Sequence, residues 1–461
     1  MKAIRDPEGA LARGLASVRE RFHVPASFPP DVLAAADRAV RRRPSEHADL
    51  TAWPFVTLDP ASSTDLDQAF HLERSGDDIV VHYAIADVAW FVQWGDAVDA
   101  EAWRRGTTLY LPDGRAPLYP PVIGEHAASL LPDGPRPAVV FHTRVAGDGS
   151  VRLDGVTRAI VRSTAKLAYD RVRADELPAD FEEVARRVQA AEASRGAARV
   201  DPPEQEVVAQ GDGRYTLVFR ARVASEDRNA ALSLATNMAV ADALYAAGTG
   251  LFRVMPEPDA RAVRRLRHTA RAWSIDWPDG ESLASLERRL DGANPREAAL
   301  MLAVRRAGGG ARYEPFRPGD APWHAAVAAR YCHATAPLRR LADRATIEAV
   351  RAVADGRDVP AEVIDAIERL PAVMQRADQR GAQIERAVLD LAETVMLAGD
   401  VGRTFAAVVT DVDDRGARIQ LRDEAVVTRV AARGVEPGDD VRVRLTAADV
   451  EAGSIAFERV A

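Results

Sequence analysis

Three carboxylates within nine positions limit this chain's fold more than any other feature. Asp59, Asp65 and Asp67 lie in the run Asp59-Pro60-Ala61-Ser62-Ser63-Thr64-Asp65-Leu66-Asp67-Gln68-Ala69-Phe70. A strand-like segment, Phe55-Val56-Thr57-Leu58, leads into it. A second one, Ile79 to Val88, follows a turn at Gly76-Asp77-Asp78 and pairs with its predecessor as a hairpin. Asp65 and Asp67 share a face if their segment is extended, and a turn through Ser62, Ser63 and Thr64 would carry Asp59 back towards them. Close carboxylates repel one another, and burial adds a desolvation cost unless a cation or hydrogen-bond donors compensate. Magnesium is a cation that carboxylates and water hold. Read on their own, the same residues also suit an exposed acidic loop closed by Asx-turns.

With 461 residues the chain is long enough for two or three domains and a large core. Cys332 is the only cysteine, which excludes an intrachain disulfide and a cysteine-based zinc site. A reducing, cytoplasmic location is expected. The start of the chain lacks the apolar core of a signal peptide, and no apolar run approaches a membrane span. The formal net charge of -8 argues against nucleic-acid binding by bulk electrostatics and leaves room for a local positive channel. Lys2 and Lys166 are the only lysines, so nearly every basic group is an arginine, which holds phosphate bidentately.

The patterning predicts an α+β chain. Residues 1–45 read as two short helices, Leu11 to Arg21 and Asp31 to Arg42, separated by Phe28-Pro29-Pro30. Residues 46–398 read as one large mixed domain. It has strands at 138–145, 155–161 and 214–223, a helical region from near Asp170, and mostly helices from Ala230 to Gly399. Residues 399–461 read as five short strands, the pattern of an OB-type barrel.

A second constellation is Tyr331-Cys332-His333-Ala334-Thr335-Ala336-Pro337-Leu338-Arg339-Arg340-Leu341-Ala342-Asp343. Thr335 suits a helix N-cap with Pro337 in the first turn, which would place Arg339 and Arg340 in the early turns. A cation gains nothing from the dipole there, so either a phosphate held in the guanidinium fork or pairing with Asp343 along the helix would account for it. His333 suits a structural role better than a catalytic one. In Arg380-Gly381-Ala382-Gln383-Ile384-Glu385-Arg386, Glu385 is either a surface charge or a contact to nucleotide hydroxyls.

Together these segments resemble the ribonuclease II family and its RNB catalytic domain. The family's first segment matches Thr57-Leu58-Asp59 followed by Asp65, Leu66, Asp67 and Gln68. Its second matches His333, Ala334, Thr335, Ala336, Pro337, Leu338, Arg339 and Arg340, with alanine at 336 where the family has serine. Its glutamate–arginine pair matches Glu385-Arg386. Ala84 to Val88, Tyr110-Leu111-Pro112, Leu167-Ala168-Tyr169 and Ala235-Thr236-Asn237 are lesser matches in the same order, and the C-terminal barrel fits as well. The resemblance implies a 3′-to-5′ exoribonuclease that hydrolyses single-stranded RNA processively to nucleoside 5′-monophosphates. It implies magnesium, with manganese as the alternative, at Asp59, Asp65, Asp67 and Gln68. Asp67, Arg339 and Asp65 become the catalytic candidates, and Tyr110, Tyr169, Glu385 and Arg340 the RNA contacts. A monomer is expected.

The chain departs from that pattern at three points. Gln68 stands where the family has a fourth aspartate; an amide oxygen can ligate a cation but adds no charge. The alternative reading is therefore an RNA-binding regulatory protein of the same fold with weak or lost hydrolysis. Residues 1–45 are too few for the cold-shock-like domains that often precede the RNB domain. Residues 401–461 hold nine arginines against eleven acidic residues, a net charge of -2, so an RNA surface on the barrel must be a segregated face.

Overall fold

The computed structural model describes residues 3–4, 9–197, 204–211, 214–220, 222–291, 294–413 and 416–460. Its centre is a seven-stranded mixed sheet. The strands are β1 (Ala48–Asp49), β2 (Phe55–Asp59), β3 (Gln68–Ser75) and β4 (Asp78–Ala86), then, after a small hairpin of β5 (Leu109–Leu111) and β6 (Gly114–Ala116), β7 (Arg136–Val145), β8 (Val151–Val161) and β9 (Ser163–Ala168). Their spatial order is β9-β2-β3-β4-β7-β8-β1. β3 and β4 form an antiparallel hairpin about the expected turn, from Ser75 opposite Asp78 to Gln68 opposite Ile85, so β4 pairs with Gln68–Ser75, a strand the patterning did not name, rather than with Phe55–Leu58. Gly76 sits at its turn with φ 64°, a region that suits glycine. β4 is buried along nearly its whole length, which explains its continuous apolar run: helices cover the face that carries Phe70 and Tyr83, and Trp53 packs on the His82 face.

Besides two short helices at Val88–Phe91 and Ala97–Arg105, the helices are α1 (Ala10–Arg21), α2 (Pro30–Ala39), α3 (Phe181–Arg195), α4 (Ala224–Ala246), α5 (Ala260–Ala272), α6 (Leu283–Arg289), α7 (Pro295–Ala307), α8 (Leu341–Ala354) and α9 (Ala361–Leu397). Phe181 of α3 stacks on Phe70 at 5.3 Å between centroids. The two N-terminal helices lie close to their expected bounds but serve different cores. Val32 and Ala36 of α2 join the main core, whereas Leu11, Leu15 and Val18 of α1 join a second one with Ile384, Val388 and Leu391 of α9.

That second core continues into a closed barrel of β10 (Thr404–Asp413), β11 (Gly416–Leu421), β12 (Val427–Ala431), β13 (Asp440–Asp449) and β14 (Ser454–Val460), ordered β10-β11-β12-β14-β13. Alternate residues of β11 and β13 point inward, as the sequence pattern requires. The strand expected over 214–223 runs from Arg214 to Arg220; Ala221 lies outside the described residues. A third, smaller core of Leu266, Trp273, Trp277, Leu286 and Leu300 holds α5, α6 and α7 together. α7 meets the barrel through an Arg306–Asp411 ion pair and through Arg296 Nε, which donates to the Pro437 carbonyl at 3.0 Å.

One expectation fails. The segment 333–340 is not the start of a helix; α8 begins at Leu341. The Asp343 carboxylate accepts the Ala336 N–H at 2.7 Å and is gripped by both arms of the Arg340 guanidinium at 2.9 and 2.8 Å. These bonds hold the chain ahead of the helix as a loop. Thr335 is buried beside Asn237, which donates to its hydroxyl at 3.3 Å, rather than capping a helix.

Candidate active site

The antiparallel pairing of Val56 with Phe70, carried on along β2 and β3, sets Asp59 opposite Asp67. The intervening loop is tied down by contacts from elsewhere. Lys166 Nζ donates to the carbonyls of Ala61 and Ser63 at 3.0 and 2.6 Å. Ser129 Oγ accepts from Leu66 N–H at 2.9 Å and donates to the Thr64 carbonyl at 2.7 Å. Asp59, Asp65, Asp67, Gln68, Tyr110, Tyr169 and Arg339 all line one cavity of about 1480 Å³.

Each carboxylate has a different environment. Asp67 is buried; its Oδ1 accepts the Leu338 N–H at 2.7 Å, and its Oδ2 lies 3.2 Å from Arg339 Nε. Burial pushes its pKa up to about 8, against the opposing pull of Arg339. Asp59 Oδ2 is buried with no hydrogen-bond partner, and burial raises that carboxyl to about 7. Asp65 is held on both sides, by an ion pair to Arg115 and by the Tyr110 hydroxyl, which donates at 3.2 Å. Among the described residues no three histidine, cysteine, aspartate or glutamate side chains converge tightly enough to form a finished cation cage. The donor set nonetheless suits a hard cation: three oxygen-bearing groups line one cavity, one with an orphaned buried oxygen and two with proton affinities that nearby positive charge would lower.

Arg339 occupies the loop before α8, and its side chain is half exposed into the cavity. Its carbonyl accepts from Thr108 N–H at 3.0 Å and from the Thr107 hydroxyl at 2.7 Å. Gly106, just before these threonines, packs closely on α9: its φ is 71°, and a Cβ there would stand 2.8 Å from Ala377 Cβ. Tyr110, on β5, is 56% exposed within the cavity wall. Tyr169 follows β9; its N–H donates to the Asp59 carbonyl at 3.2 Å, and its hydroxyl accepts from Asn229 at 3.0 Å. The Gln68 amide oxygen accepts from Tyr83 at 2.5 Å and from Ser233 at 3.2 Å.

Two of the nine named residues are not among those lining the cavity. Arg340 is locked onto Asp343, and Glu385 lies on an exposed stretch of α9. His333 is partly buried with its ring nitrogen 2.7 Å from the Tyr313 hydroxyl, and desolvation holds its pKa well below the usual imidazole range, as suits a structural residue. Sequence reasoning missed Arg115, Tyr83, Asn229 and Ser233. Arg115 alone carried a signal, because Gly114-Arg115 follows Tyr110-Leu111-Pro112 at hairpin spacing; Tyr110 and Arg115 are cross-strand partners.

Residues 47–355 match the RNB domain, and residues 403–460 match the RNase II-type exonuclease C-terminal S1 domain. The chain belongs to the RNB family. Ribonuclease R of Aquifex aeolicus is 23% identical over 95% of this chain and 69% of its own length. Exoribonuclease 2 of an Enterobacter species is 27% identical over 84% of this chain and 63% of its own. Ribonuclease R 1 of Lactococcus lactis is 25% identical over 86% of this chain and 52% of its own. The RNB chain thus spans about half to two thirds of the length of these relatives. The apo form of Mycoplasma genitalium RNase R superposes over the whole chain and 79% of its own length, with a TM-score of 0.85 at 19% identity. Yeast Ssd1, described as a pseudonuclease, superposes over 96% of this chain and 59% of its own with a TM-score of 0.68 at 15% identity. Among the described residues no helix is long and apolar enough to cross a membrane.

Proposed function

We propose that this chain is a 3′-to-5′ exoribonuclease that hydrolyses single-stranded RNA processively and releases nucleoside 5′-monophosphates. The observation that carries the reading is the convergence of Asp59, Asp65, Asp67 and Arg339 on one cavity walled by Tyr110 and Tyr169. Family membership and relatives named ribonuclease R and exoribonuclease 2 support it.

Arg339 presents its guanidinium to the cavity beside Asp67, where it can hold a phosphate and stabilise charge developing on it. Asp67 is oriented by the Leu338 N–H and lies beside Arg339, which fixes its carboxylate where it can help hold a cation against the phosphate. Magnesium, or manganese in its place, would be held by Asp59, Asp65 and Asp67 with water completing its shell, and would polarise the phosphate and acidify a bound water. Tyr110 offers a face on which a base can stack without regard to sequence. Tyr169, tied to the Asp59 backbone, places a second aromatic group in the same wall. A cytoplasmic, reducing setting suits the single buried thiol of Cys332.

The competing reading is an RNA-binding protein of this fold with weak hydrolysis. Two observations favour it: the Gln68 oxygen is committed to Tyr83 and Ser233, and Asp65 is held by Arg115 and Tyr110. A 5′-labelled single-stranded RNA incubated with magnesium separates the two. The exonuclease shortens it stepwise from the 3′ end and releases monophosphates; intact label with retained binding favours the regulatory reading. Asp67→Asn should remove cleavage by on the order of a thousandfold, as loss of a charge-stabilising group at a reacting centre does, while RNA binding persists. Loss of both would sink the role given to Asp67.

A further inference from the structure

Among the described residues the exposed large apolar side chains include two aromatics, Tyr110 and Trp323, and both line the cavity. The rest of that exposed set is aliphatic. Burying an indole is among the largest apolar gains open to a chain, yet Trp323 is left 45% exposed. Every other tryptophan is buried or half-buried. Tyr110 already has a place in the proposed site, and Trp323 has none.

The backbone holds Trp323 in that position. Met255 N–H donates to the Trp323 carbonyl at 3.1 Å, and Ala325 N–H donates to the Met255 carbonyl at 2.9 Å. Beyond Trp323 the chain turns tightly: His324 N–H donates to the Ala329 carbonyl at 3.0 Å, and Ala328 N–H to the His324 carbonyl at 2.8 Å. Met255 also reaches the C-terminal end of α7, where a Cβ on Gly308 would stand 3.3 Å from Met255 Cε. One turn back along α7 is Arg305, exposed and lining the same cavity as Met255, Gly308 and Trp323. Arg115, Arg222 and Arg339 in the cavity wall each face a carboxylate. Among the described residues Arg305 has no acidic partner. One stretch of wall thus carries an aromatic face, a thioether and an unpaired guanidinium.

We infer that Trp323 and Arg305 form a nucleotide subsite of the cavity, with one base stacked on the indole and a phosphate of the same strand held by the guanidinium. This rests on the proposed RNA-degrading function and adds a subsite that uses neither the carboxylates nor Tyr110. Every base has a π-face, so stacking on Trp323 accepts any sequence, and the arginine fork matches a phosphate. The strand is single, because a base within a duplex keeps both faces against its neighbours. An apolar protein segment could cover the indole but would leave Arg305 without an anion.

The test uses Asp67→Asn protein as the parent, alone and with Trp323→Ala, Trp323→Phe or Arg305→Ala added. Affinity is measured across a salt series for an unstructured RNA long enough to fill the cavity. It is measured again for the same RNA with one abasic nucleotide placed at each position in turn. Trp323→Ala should weaken binding of the intact RNA by on the order of tenfold, the loss of one stacked base, with the salt dependence unchanged. Trp323→Phe should recover most of that affinity. Arg305→Ala should make the slope of log affinity against log salt shallower by about 0.7, the share of one phosphate contact on a single strand. One abasic position should weaken binding to the parent and cost Trp323→Ala nothing, which marks the stacked base. Undiminished RNA binding by Trp323→Ala would overturn the inference and leave the indole to a protein partner. A loss in Trp323→Ala that is the same at every abasic position would overturn it too, because it would report a structural defect rather than a missing stack. If the Asp67→Asn parent itself binds no RNA, the proposed function fails first and the subsite with it, a result visible without the other variants.

Discussion

Asp67 in the cavity and Glu393 at the seam between α9 and the barrel are both buried carboxyl groups, and burial raises both, to about 8 and about 7. Their surroundings separate them. Asp67 faces Arg339 and open space, whereas Glu393 Oε1 accepts from Gln205 Nε2 at 2.7 Å and from Val427 N–H at 2.9 Å, both neutral donors. Gln205 goes on to the Ala425 carbonyl at 2.8 Å, so Glu393 stitches a strand, a helix and the barrel together. A raised carboxyl pKa therefore does not mark a catalytic group by itself. Access to a cavity and a cation that faces a ligand make the difference.

Four substitutions test that distinction. The largest effect is expected for Asp67→Asn, with cleavage of labelled RNA lost by the thousandfold given above and thermal stability little changed. A fall in stability as large as the fall in activity would erase the contrast with Glu393.

Glu393→Gln should do the reverse. A carboxyl with a folded pKa above its unfolded value keeps its proton longer when folded, so its contribution to stability is greatest below about pH 4.5. That contribution is lost as pH rises through about 7. The wild type should lose on the order of 2 kcal/mol relative to Glu393→Gln over that window, read as a difference in Tm, with RNA cleavage unaltered. A pH-independent difference between the two proteins would show that Glu393 does not titrate with unfolding.

Arg115→Ala addresses the competition for Asp65. Freed of an ion pair worth about 1 kcal/mol, Asp65 should let cleavage reach half-maximum at roughly fivefold lower magnesium. An unchanged metal midpoint would mean that Arg115 does not compete with the cation. Gln68→Asp carries the smallest expected change, a lowering of the metal midpoint by about twofold, because the shorter side chain must leave Tyr83. Losing that hydrogen bond should cost about 1 kcal/mol of stability. If the aspartate variant needs no less metal, position 68 does not tune the site.

Much of the fold was legible because it depends on short-range rules. The turn at Gly76 and strand β4 follow from turn residues and an apolar run, the barrel from short alternating strands, and the two N-terminal helices from their apolar rhythm and the prolines between them. The family follows from the spacing of Asp59, Asp65 and Asp67 together with the loop that carries Arg339. The same rules misplaced the start of α8, because Thr335 and Pro337 look like a local cap while Asp343 is bonded back to Ala336 and Arg340.

The sequence by itself determined which chemical groups the molecule brings to its centre: three carboxylates, an arginine and two tyrosines, between strands that must lie side by side. Only the tertiary structure decided who neutralises whom. Leu338, 271 residues from Asp67, supplies the N–H that orients it, and Arg115, 50 residues from Asp65, holds that carboxylate. The physical reason is range. Backbone preference and apolar periodicity act over a few residues, whereas the free energy of a charge depends on the dielectric and the charges within a few ångströms, which only the folded chain sets.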